Sequence, residues 1–275
     1  MNRTGASPST TERAGSALGP RARRGVDALR RVADAIAVYA VLAVAAVISV
    51  SWNLLAAALL HLLPRRIACR IGRAGIAYGY RAIWTTATWS GQFLFDLTQL
   101  EALRDEPGVI VAANHPCLLD ALLLVSRLPR SVCIMKAGLT DNWLLGPGAR
   151  LAHYIRNDST HGMIRGAVDE LRDGGQLVIF PEGTRTEHAP LNTFRPGITL
   201  ISKLAQAPIQ TVFIDIDSPY TAKGWPIWRV PTSPVVVRVR LGKRFAPADD
   251  HKHALDDLSD YFAAHVHVPR HLERR

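Results

Sequence analysis

Two short stretches hold the residues best suited to chemistry. The first, residues 109–120, reads V-I-V-A-A-N-H-P-C-L-L-D. Its apolar, β-branched start predicts a buried strand broken at Asn114-His115-Pro116. The leucine-rich end predicts a helix with Pro116 in its first turn, where a missing N–H leaves no partner unsatisfied. His115 then stands at the carboxyl end of a strand, and Asp120 about one turn into the helix. In open α/β sheets that edge is where ligands and chemistry collect. A His with a carboxylate five residues on can act as a general base: the carboxylate holds one ring nitrogen and stabilises the imidazolium formed when the other takes a proton. Taken alone, such a pair is more often a helix cap and a solvated side chain.

The second stretch, residues 176–186, reads Q-L-V-I-F-P-E-G-T-R-T. It is another short apolar strand, broken at its carboxyl end by Pro181-Glu182-Gly183-Thr184-Arg185. Two strands of one largely parallel sheet would deliver His115, Asp120, Glu182 and Arg185 to a single edge. Asn114-His115 with Asp120 matches the N-H-x4-D motif of the glycerolipid acyltransferases, and residues 180–185 match that family's F-P-E-G-T-R letter for letter. The chain resembles this family over about residues 109–216. The resemblance implies an α/β fold: a mixed, largely parallel sheet flanked by helices, glycerol-phosphate acyltransferase-like. It also implies transfer of a fatty acyl group to lysophosphatidate or a related hydroxyl acceptor, with Glu182, Gly183 and Thr184 beside Arg185 in acceptor binding.

The chemistry this asks of the chain is modest. An acyl thioester is already activated, so the protein must take a proton from the attacking hydroxyl and then stabilise an oxyanion. His115 as base is worth roughly 10² to 10⁴ in rate, with Asp120 setting its tautomer. Backbone N–H groups at the helix start, and Gly183, are candidates for the oxyanion hole. Arg185 suits a phosphate because its planar fork bonds two oxygens at once. The scheme needs no metal and no cofactor beyond acyl-CoA or acyl carrier protein as donor substrate, and there is no H-E-x-x-H, P-loop or G-x-S-x-G.

Around these stretches, 275 residues can form one sizeable α/β domain plus an accessory segment. The balance of 33 Lys+Arg against 23 Asp+Glu, a net charge of +10, favours an anionic partner. The arginines flank an apolar segment without a stacking-aromatic pattern, so a membrane surface or acidic carrier fits and a nucleic acid does not. Three cysteines without metal or disulfide spacing point to a reducing compartment.

Residues 1–24 are small, polar and basic, which predicts a disordered arm. Residues 25–90 read as a membrane-anchoring helical region. Residues 35–63 contain no Asp, Glu, Lys or Arg and as one helix would reach about 44 Å, beyond the roughly 30 Å hydrocarbon core. Ser49, Ser51, Trp52 and Asn53 interrupt the run. Arginines flank both ends, so a single tilted span and a re-entrant hairpin both remain open. Residues 65–90 predict a basic amphipathic helix, either on a membrane surface or on the domain. Together these place the protein at the cytoplasmic membrane, with the catalytic domain, residues 91–275, on the cytoplasmic face.

Within that domain, residues 93–100, 131–136, 151–156, 208–216 and 235–241 read as strands, the last as an edge strand wet on one side. Residues 118–128, 163–171, 194–207 and 254–266 read as helices. Lys136, at a strand end, could meet an anionic headgroup or simply be solvated. The family's block ending in an apolar pair and Arg is matched loosely by His153-Tyr154-Ile155-Arg156, which suggests Arg156 as a substrate ligand. Pro208 resembles a residue of the family's fourth block and so a wall of the site. Residues 220–228, with two tryptophans, could dip into the interface or pack on the domain.

The expected protein is a membrane-bound O-acyltransferase moving an acyl chain to the free hydroxyl of a lysophospholipid such as lysophosphatidate, in phospholipid synthesis. Its alternatives are an acyltransferase for a non-phosphate lysolipid such as an amino-acid-headed one, a lipid-ester hydrolase using the same His-Asp pair, and a basic membrane scaffold.

Overall fold

The computed structural model describes residues 20–188 and 190–268, and side chains from residue 24 on. Most of the basic arm lies outside the described residues; its last five are already helical, because α1 spans Pro20–Leu62. That helix runs without interruption through the apolar stretch, so of the two arrangements left open for residues 35–63 the re-entrant hairpin is not formed. Pro64 stops it, since proline disfavours a helical conformation in the residue before it, and its own extended backbone starts α2, Arg65–Trp89.

The two helices pack antiparallel: Ile48 lies over Gly79, Trp52 over Gly75, and Ala56 clusters with Ala68. A Cβ at Gly75 would stand 2.1 Å from the Trp52 ring, so only glycine admits it. The polar interruption in α1 is a docking point. Asn53 donates to the Ser49 carbonyl at 2.8 Å and accepts from the Gly148 N–H at 2.9 Å, which ties α1 to the α/β domain. Farther along, Val38 and Val41 are buried and Tyr39 donates to the Trp228 carbonyl. On the other side Leu29, Val32, Ile36, Val47, Leu54 and Leu55 are exposed. By length and hydropathy α1 is one possible membrane helix. Of the expected arginine flank, Arg73 turns inward instead, forming a fork-to-fork pair with Glu170 at 2.6 and 2.8 Å and donating to the Ala152 carbonyl. α2 is thus a domain helix: Ala68, Gly72, Ala77, Ile83, Trp84 and Ala87 are its buried face.

The domain is built on a seven-stranded sheet, with β1 (Phe93–Asp96), β2 (Ile110–Ala113), β3 (Ser131–Lys136), β4 (Ile155–Asn157), β5 (Gln176–Ile179), β6 (Ile209–Ile216) and β7 (Val235–Phe245). The spatial order is β1-β7-β6-β2-β5-β3-β4, and only β6 and β7 are antiparallel. Period-two alternation divides the core. Val109, Val111 and Ala113 face one cluster with Ile83, Trp84 and Leu123, while Ile110 and Ala112 face the other with Ile198, Phe213 and Phe262. The helices are α3 (Asp120–Arg127), α4 (Ala137–Thr140), α5 (Gly146–Leu151), α6 (Thr160–Arg172), α7 (Gly197–Ala205) and α8 (His251–His265).

Three strand expectations change. β1 stops at Asp96 and gives way to a 3-10 turn, Thr98–Leu103. The strand expected over 151–156 shrinks to Ile155–Asn157, because Leu151 ends α5 and His153 then adopts a φ of 55° that breaks any extended run. β7 is interior, hydrogen-bonded to β1 and β6; its alternating arginines pair sideways, as Arg240 does with Asp215 and Arg244 with Glu106.

Candidate active site

β2 and β5 are parallel neighbours with Ile110 opposite Leu177, so the segments after Ala113 and Ile179 emerge side by side at the carboxyl edge. Asn114 secures the first exit: its amide donates to the Ile214 carbonyl at 2.9 Å and accepts from the Ile214 N–H at 2.7 Å. His115 follows. Its Nδ1 lies 2.9 Å from Asp120 Oδ2, and its ring stacks on Phe180 with centroids 4.0 Å apart. The Asp120 side chain is 0% exposed and that of His115 18%. With Nδ1 bonded to the carboxylate, Nε2 is the nitrogen left to exchange a proton.

Asp120 is the first residue of α3 rather than one turn in, and residues 116–119 form an irregular turn. That placement lets its Oδ2 also take the Cys117 N–H at 2.7 Å, while Oδ1 takes the Cys117 thiol at 2.9 Å.

Glu182 does not face a ligand. It is 2% exposed, and its two oxygens accept from the His115 N–H at 3.1 Å, the Thr186 hydroxyl at 2.8 Å and the Asn192 N–H at 2.9 Å. Burial pushes its carboxyl above the ordinary value, against the pull of those hydrogen bonds. It is a clamp between the two motifs, reinforced by the Thr186 N–H on the His115 carbonyl. Gly183 has a φ of 71°, and a Cβ there would meet Arg195 Nε at 2.5 Å. Its N–H is bonded to the Phe180 carbonyl. The N–H groups of His115, Cys117 and Leu118 are engaged as well, so the expected oxyanion hole is not built from these four amides.

Arg185 is half-buried, and its Nη1 donates to the carbonyls of Thr221 and Ala222 at 3.0 and 3.3 Å. Thr221 is buried with a φ of 59°, unusual for a β-branched residue. Its carbonyl also takes the Leu118 N–H. The loop after β6 therefore bridges both motifs, packed on the domain through Tyr220 and Thr221, while Trp228 stays exposed. Thr184 is exposed beside it.

Lys136 is exposed at the end of β3. Arg156, one strand farther out, is already neutralised: it pairs with Asp141 at 2.5 Å and Asp158 at 2.9 Å. The structure thus gives no support to Arg156 as a substrate ligand. Pro208 is also displaced. Its carbonyl takes the N–H of Ile110, at the start of β2, so it lies at the opposite edge, about 16 Å from His115 by strand rise. Among the described residues no cluster of His, Cys, Asp and Glu could hold a metal ion.

Sequence reasoning missed Phe180, Cys117, Asn192 and Thr221. Phe180 alone had a signal, as the aromatic opening the second motif.

A largely parallel mixed sheet with an imidazole on a buried carboxylate at its carboxyl edge defines an α/β protein whose edge can take up a proton. Over residues 95–215 the chain matches the family described as Acyltransferase. It is 31% identical over 132 residues to a lysophosphatidylcholine acyltransferase of Drosophila melanogaster, covering 45% of this chain and 24% of that protein. It is 28% identical over 137 residues to a putative 1-acyl-sn-glycerol-3-phosphate acyltransferase of Caenorhabditis elegans, covering 46% and 51%. Against the human 1-acyl-sn-glycerol-3-phosphate acyltransferase beta it is 28% identical, covering 47% and 49%. The chain thus spans about a quarter to a half of these relatives' length. In fold it is similar to the crystal structure of the 1-acyl-sn-glycerophosphate (LPA) acyltransferase PlsC from Thermotoga maritima, with a TM-score of 0.64 at 18% identity over 86% of this chain and 94% of that one.

Proposed function

We propose that the protein is a membrane-bound O-acyltransferase that moves a fatty acyl group from acyl-CoA or acyl carrier protein to the free hydroxyl of a lysophospholipid such as lysophosphatidate. The observation that carries this reading is the 2.9 Å contact between His115 Nδ1 and the buried Asp120. It aims a basic nitrogen outward at an edge that also holds Arg185 and Lys136. The acceptor hydroxyl gives its proton to Nε2 as its oxygen attacks the thioester carbonyl. When the tetrahedral intermediate collapses, the C–S bond breaks and the thiol leaves with that proton. Phe180 and Asp120 hold the ring through both steps. Membrane residence draws on the apolar, exposed side of α1, and the cytoplasmic face on the need to meet a cytoplasmic thioester.

The test is product formation by the purified chain in lipid micelles with acyl-CoA or acyl carrier protein and lysophosphatidate. Diacyl product dependent on both substrates is expected. Fatty acid release without an acceptor would instead favour a hydrolase, and acylation only of a lysolipid lacking phosphate would overturn the phosphate assignment.

A further inference from the structure

Asp120 is held from both sides by a single residue. Its Oδ2 takes the Cys117 N–H at 2.7 Å as well as the imidazole, and its Oδ1 takes the Cys117 Sγ–H at 2.9 Å. Among the described residues that thiol is the only hydrogen-bond donor to Oδ1. We propose that Cys117 is a positioning residue for the base, fixing through one thiol and one amide the rotamer of the carboxylate that orients His115.

The geometry excludes a covalent role for the same sulfur. Cys117 is 1% exposed, so no thioester carbon reaches it. Burial, and then the Asp120 charge, hold the thiol well above its ordinary value. It therefore keeps its proton and remains a donor, where a nucleophile would need the thiolate. The neighbouring titratable groups leave this assignment intact. Glu182 reaches the pair only through the His115 N–H. Tyr220 is pushed up to about 12, by burial and by Cys117, and stays neutral. Without the thiol proton, Oδ1 would be a carboxylate oxygen buried without a partner, and the carboxylate could turn away from Nδ1.

The inference rests on His115 being the base, and the experiment separates the two. Full-length Cys117→Val, Cys117→Ser and His115→Ala are compared in micelles by kcat, both KM values and the pH dependence of kcat. Cys117→Val fills the space without a donor. Its kcat should fall about tenfold, as for lost outer-shell partners elsewhere, with both KM values within about twofold. Its acidic limb should move up by about half a pH unit, because a carboxylate with one donor fewer pulls harder on the imidazolium. Cys117→Ser, a stronger donor, should retain kcat and shift the limb, if at all, downward. A folded Cys117→Val with unchanged kcat and limb would overturn the proposal, as would an upward limb in Cys117→Ser, which decides the matter should the valine variant not fold. A His115→Ala protein that kept its activity would remove the base itself, whatever the cysteine variants did.

Discussion

The carboxyl edge of the sheet has two halves that behave differently. On the inner half, after β2 and β5, nearly every polar atom is tied to another segment: Asp120 to Cys117 and His115, Glu182 to His115, Thr186 and Asn192. On the outer half, after β3 and β4, Lys136 stands exposed and Arg156 sits in half-exposed pairs with Asp141 and Asp158. Catalytic groups are useful only when held still, whereas exposed ion pairs exchange readily with water and salt. Carboxylates and guanidiniums occur on both halves, and burial decides which of them are held in place.

The largest way to test that contrast is His115→Ala. It should lower turnover by about 10² to 10⁴ and leave the circular dichroism spectrum and melting temperature close to those of the parent, because the ring reaches solvent. Next comes Glu182→Ala, which strands three donors in a closed site. A loss of about 3 kcal/mol in urea unfolding is expected, at about 1 kcal/mol per stranded donor, together with reduced turnover as the two motifs part.

Glu182→Gln sharpens the point through pH. Burial raises the carboxyl in the folded protein, so its ionisation works against folding. That penalty is absent below the unfolded value and grows as pH rises through the folded one. The stability deficit of Glu182→Gln, which has no proton to lose, should therefore narrow as pH is raised from acid to neutral. A constant deficit would mean that Glu182 ionises as freely folded as unfolded.

Arg185→Ala should raise the acceptor KM about tenfold and the thioester KM far less, since one good charge-assisted contact is worth about 1.4 kcal/mol or more. An effect confined to the thioester would assign Arg185 to the donor. Smallest is Arg156→Ala, with both KM values within about twofold at ordinary salt. A large acceptor effect there would erase the distinction between the halves.

Much of this was readable from the chain because it rests on local pattern. Residues 131–136 are a short apolar run ending in a charge, and β3 occupies that span; residues 163–171 repeat at helical spacing and lie within α6. The two motifs were legible as strand exits, which is enough to bring His115 beside residues 180–185. What escaped depends on partners far away in sequence. Glu182 faces inward because an N–H 67 residues earlier needs an acceptor. Asn53 looked like a flaw in an apolar helix because its partner, Gly148, is 95 residues on. Arg156 looked available although Asp158 stands two residues on, because its other partner, Asp141, is 15 residues away, and Pro208 was misplaced because a strand's composition does not say which end faces the ligand.

Asn114 carries a consequence of its own. Its primary amide offers a carbonyl and an N–H in the geometry of a peptide unit, so the lattice of β6 continues onto a side chain just where the main chain of β2 departs. The backbone is thereby released to bend one residue early, and the imidazole is delivered over the rim instead of into the packed core against the sheet. Neither aspartate nor leucine, though similar in outline, can act as donor and acceptor together, so tolerance at position 114 is dictated by the weave of the sheet, with no reference to any proton being moved.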